Sequence, residues 1–161
     1  MINKRLMKEL KGIKNKRILF YYPLYFEADI RQTLGLVRKK CEIYLPFMEG
    51  ESFKMVTFRL PLKKHHLGIF EAGKSLKNIK KIDIAIVPVV GVDKNMQRIG
   101  FGKGMYDRFF STLKQKPYTI FVQSNLCYSK DALCDSYDIG CDLLLTPSVR
   151  LVKQTRKENA K

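Results

Sequence analysis

The stretch from residue 82 to 90, Ile-Asp-Ile-Ala-Ile-Val-Pro-Val-Val, admits few folds. It is apolar on both sides of an extended chain, so a strand made from it must be covered on both faces, as in a parallel sheet flanked by helices. Four shorter runs read the same way. Residues 17–22 are stopped by Pro23, residues 41–45 end at Pro46, and residues 118–123 and 142–146 follow, the last closed by Pro147.

Helical patterns lie between these runs. Residues 3–14 place Leu6, Met7, Leu10 and Ile13 at helical spacing, with lysines on the other face and Asn3 as cap. Asp29 caps a second helix carrying Ile30, Leu34 and Val37, in which Gly35 is only mildly unfavourable. Tyr106, Phe109, Phe110 and Leu113 define a third that starts near Gly104, and residues 130–135 form a short fourth. Residues 53–58 alternate as a strand does. Residues 60–81, lysine-rich with Pro61, Gly68 and Gly73, keep no period and read as loop with one helical turn. This order predicts a single α/β domain over residues 1–152, a three-layer α/β/α sandwich with a mainly parallel central sheet, followed by a polar tail at 153–161. Ligands of such folds gather at the carboxyl ends of the strands.

The strand at 82–90 leads to residues 98–108, Arg-Ile-Gly-Phe-Gly-Lys-Gly-Met-Tyr-Asp-Arg. Gly100, Gly102 and Gly104 free the backbone at every second position, and Arg98 and Arg108 bracket the segment. Glycines let N–H groups approach phosphate oxygens closely, and a following helix aims its positive end at the same place. The spacing is neither a P-loop, which needs Gly-Lys-Ser/Thr, nor a dinucleotide fingerprint, which needs two residues between its last glycines.

The segment resembles the signature of the 5-formyltetrahydrofolate cyclo-ligase family, roughly Arg-Leu-Gly-x-Gly-x-Gly-Tyr-Tyr-Asp-Arg. In that family a hydrophobic strand with Pro and then an Asp precede it. Ile86, Val87, Pro88, Asp93 and residues 98–108 stand at matching places, with Ile99 for Leu and Met105 for the first Tyr. Leu45-Pro46, Met55 with Phe58, and residues 68–71 are further landmarks, which extend the resemblance over about residues 18–149. They read as scaffold and pocket wall. Family members usually begin with an additional basic helix whose Lys and Arg reach ATP. Only 16 residues precede Arg17 here, and Lys4, Arg5 and Lys8 occupy the one amino-terminal helix.

The resemblance implies an ATP- and magnesium-dependent conversion of 5-formyltetrahydrofolate to 5,10-methenyltetrahydrofolate through a phosphorylated formyl group. It implies ATP contacts from Arg98, Ile99, Gly100, Phe101, Gly102, Lys103, Gly104, Met105 and Tyr106. Folate contacts are implied for Tyr22, Glu27, Phe101, Gly102, Lys103, Gly104 and Met105. Lys103, Arg98 and Arg108 would serve the transferred phosphoryl group. Asp107, otherwise a first-turn helix acid, and Asp138 would hold magnesium, with Asp135 or Asp142 as alternatives to Asp138. Glu27 alone is an ordinary loop acid; the family pattern of Pro23, Glu27 and Asp29 singles it out. His65 and His66, adjacent in a lysine-rich loop, are assigned no role.

Lys plus Arg at 31 against Asp plus Glu at 15 gives a net charge of +16. Nucleic acid, ATP and polyglutamylated folates are all anionic enough to fit, but the lysines are spread along the chain, which favours a solvated basic surface. No RNA-binding motif is recognisable, so nucleic acid is not the expected partner, and a basic RNA-binding domain or another kinase or ligase sharing the loop are the rival readings. Four cysteines without close pairs read as reduced core residues. No apolar run is long enough for a membrane span and no leader pattern is visible; a monomer in the cytoplasm is expected.

Overall fold

The computed structural model describes residues 1–65, 68–73, 79 and 81–154. A seven-stranded sheet runs through the molecule. Its parallel centre comprises β1 (Arg17–Leu19), β2 (Glu42–Glu49), β6 (Ile84–Pro88), β9 (Tyr118–Val122) and β10 (Leu143–Leu145). Antiparallel strands β3 (Ser52–Thr57) and β11 (Arg150–Val152) close the edges, giving the order β11-β10-β9-β6-β1-β2-β3. Two small ribbons pair β4 (Lys63–Lys64) with β5 (Phe70–Glu71), and β7 (Gly91–Val92) with β8 (Arg98–Ile99).

The continuous apolar runs have the expected cause. Ile18, Ile43, Ile86, Ile120 and Leu143 point to one face, packed against helices α1 (Ile2–Glu9) and α2 (Arg31–Val37). Leu19, Tyr44, Ala85, Phe121 and Leu144 point to the other, with Phe109 of α3 (Met105–Ser111). Each fully buried side chain of this kind contributes about 1.5–3 kcal/mol.

Topology decides where a ligand can sit. From β1 the chain crosses through α2 to β2 on one side, and from β6 through α3 to β9 on the other. Parallel crossovers are right-handed, so opposite directions require opposite faces, which is where α2 and α3 lie. The strand order therefore reverses between neighbours β1 and β6, and a crevice opens at their carboxyl ends.

Several local expectations change. Asn3 does not cap its own helix: its Oδ1 accepts from Thr33 N at 3.0 Å and Thr33 Oγ1 at 2.7 Å, serving the first turn of α2 instead. Pro46 does not end β2. Met48 N, two residues on, points to Glu71 Oε1 at 2.8 Å, so the alternation puts the missing N–H of Pro46 on the same side, where β1 has already stopped. Residues 130–135 form no helix, because Leu133 N and Cys134 N are drawn to Asp93 Oδ2, each at 3.3 Å. Within residues 60–81 the ribbon of β4 and β5 appears where loop is predicted; the helical turn has no counterpart among the described residues. Finally, β11 lies in a stretch with no predicted element, pairing back on β10 past Pro147. His66 and most of the predicted tail lie outside the described residues.

Candidate active site

Just past β1 the backbone turns at Pro23, and the turn is closed twice. Glu27 N donates to Leu24 O at 3.1 Å, and Leu24 N donates to Glu27 Oε2 at 2.8 Å. Tyr21, buried at the strand end, donates its hydroxyl to Ala28 O at 2.7 Å and so fixes the exit of the same turn. These bonds hold the Glu27 carboxylate at the mouth of the crevice. Burial pushes its pKa up, opposed by the Leu24 N–H and the charge of Arg98.

Past β6, the β7–β8 hairpin returns the chain to Arg98, and the glycine segment follows. Gly102 and Gly104 adopt positive φ of 80° and 58°, a conformation that costs other residues. Gly100 lets the Arg98 guanidinium approach: a Cβ there would lie 2.7 Å from Arg98 Cζ and displace it. The guanidinium thus packs against the loop backbone, 5.0 Å from the centre of the Tyr106 ring and 3.9 Å from Asp107 Oδ2. Arg108 reaches the other way. Its Nε donates to Glu51 O at 2.9 Å, and its Nη2 donates to the carbonyls of Glu51 and Lys103, tying the loop to the β2–β3 turn. Lys103 is exposed and makes no side-chain bond among the described residues.

These two segments enclose a cavity of about 370 Å³. Tyr22, Glu27, Arg98, Phe101, Lys103, Gly104, Met105 and Tyr106 all line it, as the resemblance implies. Ile99, Gly100 and Gly102 do not; they form the loop behind its wall. Its interior is largely aromatic. Tyr22 meets Phe70 at 5.4 Å between ring centres, and Tyr106 meets Phe53 at 5.0 Å. Pro46, Ile69 and Phe70, read from the sequence as scaffold and pocket wall, stand in the wall. Leu24, Phe26 and Met48 also line it and went unnoticed in the sequence. Phe26, 43% exposed, makes an edge contact with Phe101 at 5.2 Å over the opening. A large aromatic immediately before Glu27 was the available signal.

The carboxylates expected to hold a metal are not among the lining residues, although Asp107 directly follows the lining Tyr106. Asp107 Oδ1 accepts from Ile139 N at 3.0 Å, which brings the peptide after Asp138 against α3. Asp138 Oδ2 accepts from Asp135 N at 2.8 Å, and its other oxygen has no hydrogen bond among the described residues. Asp135 accepts from the Tyr137 hydroxyl at 2.6 Å. Asp142 lies at the amino end of the sheet, bonded to Thr119 N at 2.7 Å, away from the cavity. No cluster of three or more His, Cys, Asp or Glu suited to a metal occurs among the described residues. Two carboxylates suit magnesium only where phosphates and water complete its octahedron. Of the amino-terminal cations, Arg5 reaches the carboxyl end of the sheet, donating to Pro147 O and Ser148 O at 2.9 Å each, while Lys4 and Lys8 are exposed.

Comparison with known proteins bears on the fold and the family. Two solved structures share the fold. A 5,10-methenyltetrahydrofolate synthetase of Aquifex aeolicus superposes with a TM-score of 0.76 at 24% identity, over 99% of this chain and 85% of that one. One from Mycoplasma pneumoniae gives 0.64 at 23% identity, over 89% and 80%. Among curated relatives, the 5-formyltetrahydrofolate cyclo-ligase of Mycoplasma genitalium is 34% identical over 90% of this chain and 98% of its own length. That of Haemophilus influenzae is 27% identical over 70% of this chain and 64% of its own length. The Mycoplasma pneumoniae enzyme matches at 38% identity over 40% of this chain, spanning 39% of that relative. No helix among the described residues is long and apolar enough to cross a membrane. The 5-formyltetrahydrofolate cyclo-ligase family model matches residues 1–149, and the chain belongs to that family.

Proposed function

We propose that this protein closes 5-formyltetrahydrofolate to 5,10-methenyltetrahydrofolate at the expense of ATP. The observation that carries the reading is that Glu27 and Lys103, from segments far apart in sequence, line one aromatic cavity at the switch point of the sheet. The cavity suits a flat bicyclic ring: Tyr22, Phe70 and Tyr106 supply apolar faces, and Glu27 can accept from ring N–H groups.

The chemistry follows from the substrate. A formamide carbon is a poor electrophile and its oxygen a poor leaving group. Transfer of the γ-phosphoryl group of ATP to the formyl oxygen, with release of ADP, cures both defects. N10 then attacks the activated carbon and gives up its proton, the ring closes, and inorganic phosphate departs with the former formyl oxygen. The protein supplies position and charge rather than a covalent nucleophile. Lys103, exposed on the loop and without a side-chain partner among the described residues, would meet negative charge on the phosphoryl oxygens, and Arg98 would add a second cation from the cavity wall. Arg108 serves by holding the Lys103 carbonyl.

Asp107 and Asp138 are the residues that would hold magnesium against the phosphates; the ion would neutralise phosphate charge there. The test is spectrophotometric: the methenyl product's absorbance should rise when protein, 5-formyltetrahydrofolate, ATP and magnesium are mixed. It should not rise when ATP or magnesium is omitted. No rise in the complete mixture would refute the reading.

A further inference from the structure

At the opposite end of the sheet from the cavity lies a groove of about 1180 Å³, roughly three times the cavity's volume. Arg17 opens β1, Glu42 opens β2 and Thr57 closes the antiparallel β3, so the groove runs along the amino ends of the parallel strands. Its charged rim is one-sided. Arg17, Arg38, Arg59, Lys81 and Lys114 line it, against the single carboxylate of Glu42. Glu42 is already engaged, 3.6 Å from Arg17 Nε and accepting the Tyr44 hydroxyl at 2.6 Å. Arg59, Lys81 and Lys114 are exposed and carry no side-chain partner among the described residues.

A solvated basic surface accounts for scattered lysines. It does not account for five cations converging on one concavity at an end of the molecule that the reaction does not use. We propose that this groove is a second binding site, for single-stranded nucleic acid. Like-charged side chains drawn together repel unless an anion with several charges lies between them, and a phosphodiester strand supplies one charge per nucleotide. The floor favours a strand over inorganic polyphosphate. Arg38 lies 4.9 Å from the Phe58 ring centre, so its guanidinium plane presents a stacking surface for a base, beside the apolar Ile43.

The test is fluorescence anisotropy with labelled single-stranded RNA and DNA 12-mers across a salt series. Five neutralised phosphates predict that log affinity falls against log salt with a slope of about −3.5, or roughly 100-fold weaker binding between 50 and 200 mM. The triple variant Arg38→Ala/Arg59→Ala/Lys114→Ala should reduce the slope to about −1.4. It should leave the cyclisation rate unchanged, since none of these residues touches the cavity. A double variant, Arg59→Ala/Lys114→Ala, spares the Arg38–Phe58 contact and should reduce the slope to about −2.1, which keeps the test valid if the triple variant folds poorly. Tighter binding of either single strand than of a duplex of equal length or of anionic phospholipid vesicles supports the site. The proposal is overturned by no saturable binding at 50 mM salt, by a preference for duplex or vesicles, by unchanged slopes in the variants, or by equal loss on replacing Lys4, Lys8 and Lys11 of the amino-terminal segment.

Discussion

The Arg98 guanidinium lies 5.0 Å from the centre of the Tyr106 ring, and the two residues flank the glycine segment on either side. Their contact closes the segment on itself, so the loop between them is held as a ring with its ends clasped by a cation and an aromatic face. Asp107, 3.9 Å from the same guanidinium, pairs with Arg98 where both side chains are largely shielded from water. Burial in turn pushes the Tyr106 phenol well above its ordinary range, so it stays neutral at every working pH. A flexible, glycine-rich segment thereby becomes a defined wall of the cavity before any substrate arrives.

Gly100→Ala tests this clasp. The new Cβ would sit 2.7 Å from Arg98 Cζ and push the guanidinium off its seat. Cyclisation should fall at least tenfold in kcat/KM, about 1.4 kcal/mol of transition-state stabilisation, with the melting temperature little changed. Steady-state kinetics beside a thermal melt give both numbers; activity equal to the parent's would show that the clasp is irrelevant.

Lys103→Ala removes an exposed charge that no other described side chain uses. Turnover should drop by roughly 10²–10³-fold, as for loss of a group that stabilises developing charge, while the fold keeps its stability. Single-turnover measurement of ADP formation separates this loss from slow product release. A normal rate would mean that another cation meets the phosphoryl group.

For Arg108 the expected effect runs through the loop. Arg108→Ala releases the carbonyls of Glu51 and Lys103, and Arg108→Lys should not restore activity, because one ammonium cannot replace a fork that bonds both. We expect KM for ATP to rise about tenfold in both variants. Full rescue by lysine would show that charge alone is what matters.

Glu27→Gln should weaken the folate far more than ATP, measured as separate KM values. It also carries a stability signature. Burial raises the folded-state pKa of Glu27 above its unfolded value, so between the two values the folded state binds more protons and loses stability as pH rises. At neutral pH the carboxylate is thus a cost, which glutamine removes while its amide oxygen can still accept from Leu24 N. The variant should melt higher than the parent at pH 7 and converge with it below the ordinary carboxylate range. A lower melting temperature at pH 7 would contradict this account.

Asp93 has the opposite sign. It is fully buried, and although burial alone would raise its pKa, the backbone N–H groups of Gln97, Asn95, Cys134 and Leu133 outweigh that and hold it below the ordinary value. Its contribution is therefore present above the unfolded carboxylate pKa and lost as pH falls through the folded one. Asp93→Asn cannot accept on both sides and should cost about 3 kcal/mol in urea denaturation at pH 7. A loss under 1 kcal/mol would show that these loops do not depend on it.

How much of this was legible beforehand follows from the range of each interaction. The parallel strands were readable because burial on both faces leaves an unbroken apolar run, as at Ile86 and Val87. The glycine segment was readable because positive φ at Gly102 and Gly104 is a local demand on residue type. Asn3 misled because its donors belong to α2, thirty residues away. Pro46 misled because whether a strand tolerates proline depends on whether a neighbour stands on that side, and β1 does not reach so far. The loop at 130–135 misled because a buried carboxylate forty positions earlier holds its N–H groups.

The amino-acid sequence by itself determined the alternation of strand and helix, the segment able to wrap an anion, and the family to which the chain belongs, since each rests on short-range pattern or residue type. Tertiary structure alone decided that Phe26 and Met48 complete the cavity wall around Glu27 and Lys103, and that Arg108 turns away to bind carbonyls. It also gathered five cations at the far end of the sheet. Those relations depend on which strand ends become neighbours, and crossover handedness and strand order set that only once the whole sheet has formed.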